Sequence, residues 1–347
     1  MDQPVILAID GNSLVHRSFH AQARTGMHTT DGRPTWAVRG LLMQLVAVVE
    51  RIRPHAVVVG FDDPDRSLRR ERWPQYKAQR ADKLDTLVDQ LAAAATVMRQ
   101  LDVRVVVPEG LEADDVLAST AAAARGLGAR TVIVTSDRDA FALIDDTTRV
   151  LRIINGGVDA SPLMSADRLE LLLGVRPEQY RDYAALRGDP SDNLPGVRGI
   201  GPRSAARLLQ HLGSAQHAFD DVNAVRVALG AGVAARLAAE GAREAWQLNC
   251  QVMTMHADID IELDLAAGPG VLPLSADAVS HAFCAQHLTW TAKDALRVLA
   301  EIEPAPVVAR YASLPSWFDR PASGGFRPAL PKLAPRRPQP AQLSLFD

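Results

Sequence analysis

Val105-Val-Val-Pro-Glu-Gly-Leu-Glu-Ala-Asp-Asp-Val116 is an apolar run that breaks at Pro108 and Gly110 and then releases three carboxylates, Glu112, Asp114 and Asp115. The run reads as a strand, and the acids sit where it hands over to a helix. Taken alone they are accounted for as a helix start, where side-chain oxygens cap free N–H groups and negative charge suits the dipole. A second reading requires other acids to arrive at the same place.

Outward from this stretch the same punctuation recurs. Val5-Ile-Leu-Ala-Ile9 ends in Asp10-Gly-Asn-Ser13, Ala56-Val-Val-Val-Gly60 in Phe61-Asp62-Asp63-Pro64, and Thr131-Val-Ile-Val-Thr135 in Ser136-Asp137-Arg138-Asp139. Short continuous apolar runs belong to strands buried on both faces. Helical patterns around 38–51 and 84–101 separate them, and this alternation predicts an α/β fold with a mostly parallel sheet covered by helices on both faces. The functional crevice of such a sheet lies beyond the carboxyl ends of its strands, so these acids are expected to share one crevice. Turn chemistry is the better account of Asp63, Asp65 and Asp146.

Between Arg66 and Lys83 the cations Arg66, Arg69, Arg70, Arg72, Lys77, Arg80 and Lys83 are interleaved with Trp73 and Tyr76, with Glu71, Asp82 and Asp85 diluting the charge. A solvated helical face is the ordinary account of a charge run. Beside acidic strand ends, cations that hold phosphates and rings that stack on bases suit nucleic acid. Further on, Leu186 to Leu209 carries Asp189 and Asp192, then Gly196, Gly199, Ile200 and Gly201, then Pro202 and Arg203 opening a helix. Glycines let a ligand approach the backbone, and a helix start offers N–H groups to a phosphate oxygen.

A chain of 347 residues, 47% hydrophobic, suffices for one large or two smaller cores. Cys250 and Cys284 are too few for a disulfide framework. No run approaches the roughly 18 apolar residues of a membrane span, and Met1-Asp2-Gln3-Pro4 lacks a basic leader, so a cytoplasmic, nucleoid-associated monomer is expected. Residues 215–248 read as helical and 255–265 as extended. Six prolines and four cations between 321 and 340 predict an extended basic tether, tipped by Gln342-Leu-Ser-Leu-Phe346. The expected division is a catalytic core over 1–175 with an arch at about 64–100, a helical module over 176–303, and a tail over 304–347.

Nine acids converge in this reading: Asp10, Asp62, Glu112, Asp114, Asp115, Asp137, Asp139, Asp189 and Asp192. Two like charges about 4 Å apart repel by roughly 4 kcal/mol at an effective dielectric near 20, so the cluster calls for cations. All-oxygen ligands favour hard ions, Mg2+ or Mn2+, and two of them suit phosphodiester hydrolysis. Setting the nine acids aside moves the formal charge from -3 to +6, a balance that suits gripping a polyanion around an acidic pocket.

Asp10-Gly-Asn-Ser, Phe61-Asp62, Tyr76-Lys77-x-x-Arg80, Glu112-Ala-Asp-Asp115, Asp137-x-Asp139 and Gly188-Asp-x-Ser-Asp-Asn-Leu-Pro-Gly-Val-x-Gly-Ile-Gly201 occur in an order that resembles the 5'-nuclease family over residues 4 to 300. The resemblance implies a PIN-like α/β core, a helical arch and a helix-hairpin-helix-type (H3TH) module, the last often carrying a monovalent cation such as K+. It places Asp10, Asp62, Glu112 and Asp114 in a first metal cluster, with Asp115 either joining them or bracing the helix turn. Asp137, Asp139, Asp189 and Asp192 fall in a second. It makes Lys77 the arch lysine that meets the scissile phosphate, with Arg69 and Arg80 as phosphate-steering neighbours. Arg70, Arg72, Tyr76, Gly196, Gly199, Ile200, Gly201 and Arg203 fall on the DNA track. Gln342, Leu343, Leu345 and Phe346 resemble the peptide by which bacterial replication proteins dock on the sliding clamp. His16 and Trp73 stand where the family commonly has Tyr, and residues 81–85 lack its prolines, which leaves the arch's preference among flaps, nicks and free ends open.

The implied activity is Mg2+-dependent 5'-3' exonuclease and flap endonuclease cleavage of double-stranded DNA bearing 5' ends, nicks or flaps, in primer removal and repair. A PIN-type ribonuclease shares the carboxylate logic but lacks the hairpin. A non-catalytic junction binder would tolerate the loss of acids, yet all nine are present.

Overall fold

The computed structural model describes residues 3–29 and 32–301. Its centre is a six-stranded sheet ordered β3-β2-β1-β4-β5-β6. The strands are β1 (Val5–Asp10), β2 (Ala56–Gly60), β3 (Arg104–Val106), β4 (Arg130–Thr135), β5 (Thr148–Arg152) and β6 (Leu163–Met164). All pairings are parallel except β5 with β6, and Leu7 sits opposite both Val57 and Val132. β1, β2 and β4 match the apolar runs predicted from sequence. β5 was not expected, because Arg149 and Arg152 interrupt its apolar pattern.

Two faces of the sheet are covered. Ile6 and Ala8 pack with Val116 and Leu117 of helix α5 (Ala113–Gly126), while Leu7 and Ile9, pointing the other way by strand alternation, are equally buried. Burying such a side chain contributes roughly 1.5–3 kcal/mol. Helices α1 (Gly11–Gln22) and α2 (Trp36–Ile52) pack against each other, and the helix predicted near 84–101 is α4 (Asp85–Gln100), after a short α3 (Leu68–Arg72). Gly60, the last residue of β2, leaves room for α5, since a Cβ there would stand 2.8 Å from the Val116 Cβ. That close passage brings the start of α5 over the end of β2.

The order of strands sets the site. The chain runs outward from β1 to β2 and β3, then returns to lay β4 on the other side of β1. The crevice at such a switch point opens between the ends of β1 and β4, where Asp10 and Asp137 stand.

Helices Pro177–Arg187, Pro202–Leu212, Ala215–Asp220, Val222–Leu229, Ala231–Leu237 and Ala242–Val252 follow, and their core is continuous with the sheet through Phe141, Tyr180 and Tyr183. Residues 255–265 form no strand. Ile261 is buried against Ile6 and Val58, so the two-residue period does reflect packing. The backbone bonds of this segment go elsewhere: Ser119 Oγ accepts from the Ile259 N–H, and the Ile261 carbonyl accepts from Arg104. No described helix is long and apolar enough to cross a membrane. The tail and its clamp-type peptide lie outside the described residues.

Candidate active site

Seven of the nine acids, namely Asp10, Asp62, Glu112, Asp114, Asp137, Asp139 and Asp192, line one cleft of about 1410 Å³. Asp10 ends β1 and caps α1, one oxygen accepting from the Ser13 N–H at 2.8 Å and the other from Thr135 Oγ1 at 2.7 Å. Asp62 accepts from the Asn12 side-chain amide at 2.5 Å and the Ala113 N–H at 2.9 Å. Three separate strand ends are thereby held together by local bonds.

The electrostatics are those of an anionic cluster short of positive charge. Burial, with the charges of Asp62 and Asp137, pushes Asp10 up to about 7. Burial, then Asp137, Asp189 and Asp192, does the same to Asp139. Asp114 is raised well above its usual range by burial and by Asp137 and Asp10, and its Oδ1 is buried without a hydrogen-bond partner. An orphaned buried carboxylate oxygen among other acids fits a divalent cation, and an all-oxygen donor set fits a hard one. Among the described residues, no three acids or histidines stand in ligating geometry around one point. The chain's own cations hold several of them: Glu112 accepts from Lys77 Nζ at 2.9 Å, and Asp192 from Arg80.

Lys77 is half-buried at the cleft, in a left-handed conformation (φ 56°) kept by its N–H donating to the Asp192 carbonyl at 2.9 Å. Asn193 donates to the Gln75 carbonyl at 2.8 Å and Arg80 to the Ser191 carbonyl at 3.3 Å. Residues 75–80 are thereby stitched to the acidic loop at 189–193. Asp189 lies beside the cleft, accepting from Ser191, and its charge helps burial raise Asp192.

Several sequence expectations need correcting. Asp115 does not face the cleft: it is fully buried, and both oxygens are taken, by Arg69 at 2.6 and 2.7 Å and by the Glu112 and His256 N–H groups. Burial alone would raise its pKa, but these bonds outweigh it and hold it below the usual carboxylate range. Arg69 is accordingly not a phosphate-steering group, since its side chain is 8% exposed and paired inward. Tyr76 does not offer a ring to bases: it is buried with Leu194 and Val252, and its hydroxyl donates to Glu112 at 3.1 Å. Arg70 lines the cleft, whereas Arg72 lies against Trp73.

In the hairpin, Gly196 is required by the chain itself, because a Cβ there would meet the Arg187 carbonyl oxygen at 2.2 Å. Ile200 is core and offers only backbone. Gly201 faces open space and Arg203 is exposed, so both are accessible, and Gly199 holds φ 81° with its carbonyl accepting from Arg236 at 2.9 Å. Sequence reading gives Asn12 and Thr135 no role, and marks His16 only as standing where the family commonly has Tyr. Asn12 stands within the Asp10 motif and Thr135 ends the apolar run of β4, and neither carries a charge that would mark it as part of the site. His16 lines the cleft and is pushed down to about 4 by burial and by Lys83, His20 and Arg80.

Comparison with known proteins gives the following. Residues 5–170 match the family described as 5'-3' exonuclease, N-terminal resolvase-like domain, and residues 175–271 its C-terminal SAM fold. DNA polymerase I of Mycobacterium tuberculosis (strain ATCC 25618 / H37Rv) is 36% identical over 236 residues, 68% of this chain and 26% of the relative. DNA polymerase I of Chloroflexus aurantiacus is 33% identical over 350 residues, 100% of this chain and 34% of the relative. The chain thus spans about a quarter to a third of these relatives. Among solved structures, T5 5'-exonuclease with bound divalent metal ions (zinc) superposes with a TM-score of 0.59 at 17% identity, covering 85% of this chain and 99% of that one. T5 D15 flap endonuclease in a complex with DNA and metal ions gives 0.55 at 18% identity, covering 85% and 99%. At these identities the likeness is one of fold.

Proposed function

The chain belongs to the 5'-3' exonuclease family, and from that premise we propose that it hydrolyses DNA phosphodiester bonds at 5' ends, nicks and flaps with divalent ions. The observation that carries this is the unpartnered, buried Asp114 oxygen among acids gathered from four strand ends. Asp10, Asp62, Glu112 and Asp114 would hold one Mg2+ or Mn2+, and Asp137, Asp139, Asp189 and Asp192 the other. When bound, such ions supply positive charge at the scissile phosphate and an acidified water.

The chain's own residues do the rest. Asn12, Ser13 and Thr135 fix the directions of Asp62 and Asp10. Lys77 and Arg80, paired with Glu112 and Asp192, stand at the cleft where they would be available to a substrate phosphate. Lys77 then stands as a fixed charge beside the reacting group. The hairpin and the start of the Pro202–Leu212 helix hold duplex backbone through N–H groups, with Arg203 beside them. K+ is the candidate monovalent ion there, using carbonyls other than that of Gly199, which Arg236 occupies.

The relatives are DNA polymerases, and primer removal and repair is the process that this reading assigns to the chain. A cytoplasmic monomer recruited by the sliding clamp through Gln342 to Phe346 completes the reading. Product mapping on labelled nick, gap and flap duplexes tests it. Short 5' products with Mg2+ and none with chelator are expected, and equal cleavage of matched RNA flaps would favour a ribonuclease instead.

A further inference from the structure

Arg69 has five N–H donors, and five acceptors meet them. Nε donates to the Val252 carbonyl at 3.1 Å; Nη1 to Asp115 at 2.6 Å and Glu112 at 3.4 Å; Nη2 to Asp115 at 2.7 Å and the Thr254 carbonyl at 2.9 Å. These acceptors come from two places far apart in sequence, the first turn of α5 and the segment where the helical module returns to the sheet. Asp115 closes the link by accepting from the His256 N–H at 2.8 Å. Val252 ends its helix, so the guanidinium also sits where a helix dipole favours a cation.

The first turn of α5 therefore faces two ways. Asp114 points into the cleft, and Asp115, next in sequence, points back into the seam with the module. A planar fork with every donor filled is a fixture that lysine cannot reproduce.

We propose that Arg69 is a positioning residue that sets the register between the duplex-holding helical module and the metal-binding acids, acting through Asp115 and never touching DNA. This rests on the nuclease reading for its catalytic consequence. Its loss lets α5 shift against the module, so divalent-ion affinity and turnover fall while duplex affinity stays. Groups that orient metal ligands from behind are commonly worth about 10- to 100-fold in affinity or activity.

The test uses full-length wild type, Arg69→Lys, Asp115→Asn and the double variant. Mn2+ binding is read by electron paramagnetic resonance, duplex affinity by anisotropy over a salt series in chelator, and single-turnover cleavage with Mg2+. Both single variants should lose about 10- to 100-fold in Mn2+ affinity and in cleavage rate. The double variant should lose no more than either, and the salt slope of duplex binding should not change. A slope reduced by about one phosphate contact for Arg69→Lys would make Arg69 a DNA contact and overturn the proposal. So would wild-type Mn2+ affinity in both variants, or complete loss of one ion in Asp115→Asn but not in Arg69→Lys. If wild type fails to cleave, the nuclease reading fails, and the Mn2+ and salt-slope measurements still decide the positioning role.

Discussion

Replacing Asp114 by Asn should stabilise the protein in chelator at pH 8 while abolishing metal-dependent cleavage. Asp114 is buried with one oxygen unpartnered, and burial together with Asp137 and Asp10 pushes its pKa well up. Asp10 and Asp139 rise from 3.8 to about 7. The folded protein thus keeps protons that the unfolded chain has released, so stability falls as pH rises through the window from about 4 to 7. A tenfold change in proton affinity corresponds to about 1.4 kcal/mol. Because these groups interact, their contributions do not add, and removing one charge is expected to return about 2–4 kcal/mol at pH 8. For a chain of 347 residues that is about 3–5 °C in melting temperature. Asp115, with its lowered pKa, contributes in the opposite direction and only below this window, as pH falls through that pKa. Urea and thermal melts in chelator at pH 5 and 8, with and without Mg2+, measure the effect. Wild type should gain stability from Mg2+ at pH 8, and Asp114→Asn should gain less from a higher start. A variant less stable than wild type in chelator at pH 8, or a wild type with flat stability from pH 5 to 8, would refute the electrostatic reasoning.

Other perturbations separate the parts. Lys77→Ala should lower the single-turnover rate by about 10²- to 10³-fold with little change in duplex affinity measured by anisotropy. Gly188→Ala should destabilise by about 2–5 kcal/mol in urea melts, because its φ is 73° and the new Cβ would stand 2.2 Å from the Gly196 nitrogen and 2.5 Å from the Leu194 carbonyl oxygen. Duplex binding should weaken with it. Deleting residues 341–347 should abolish clamp capture in a pull-down and leave unstimulated cleavage intact.

The acids at the strand ends were legible because a buried parallel strand announces itself by a continuous apolar run, and topology then carries its last residue to the common edge. Asp10, Asp62 and Asp137 needed nothing more. The direction of a side chain within the first turn of a helix is another matter. Glu112, Asp114 and Asp115 carry the same charge in one short block, and only a partner 46 residues away, Arg69, reveals that Asp115 turns back. Tyr76 and Arg69 were misread for the same reason: a basic, aromatic segment has the composition of a nucleic-acid contact whichever way each side chain points. In the glycine pattern at 196–201, Gly196 serves chain packing, which its composition does not distinguish from ligand approach.

The two-way turn at the start of α5 also sets what this block can tolerate as a piece of sequence. One residue advances a helix by about 100°. An insertion or deletion of a single residue between Glu112 and Val116 would rotate the following acids out of phase, carrying a seam acid into the pocket or a pocket acid into the seam. Both errors would strand a charge. A slip of frame is therefore not absorbable here, and a chimera between relatives should join its parts outside this turn.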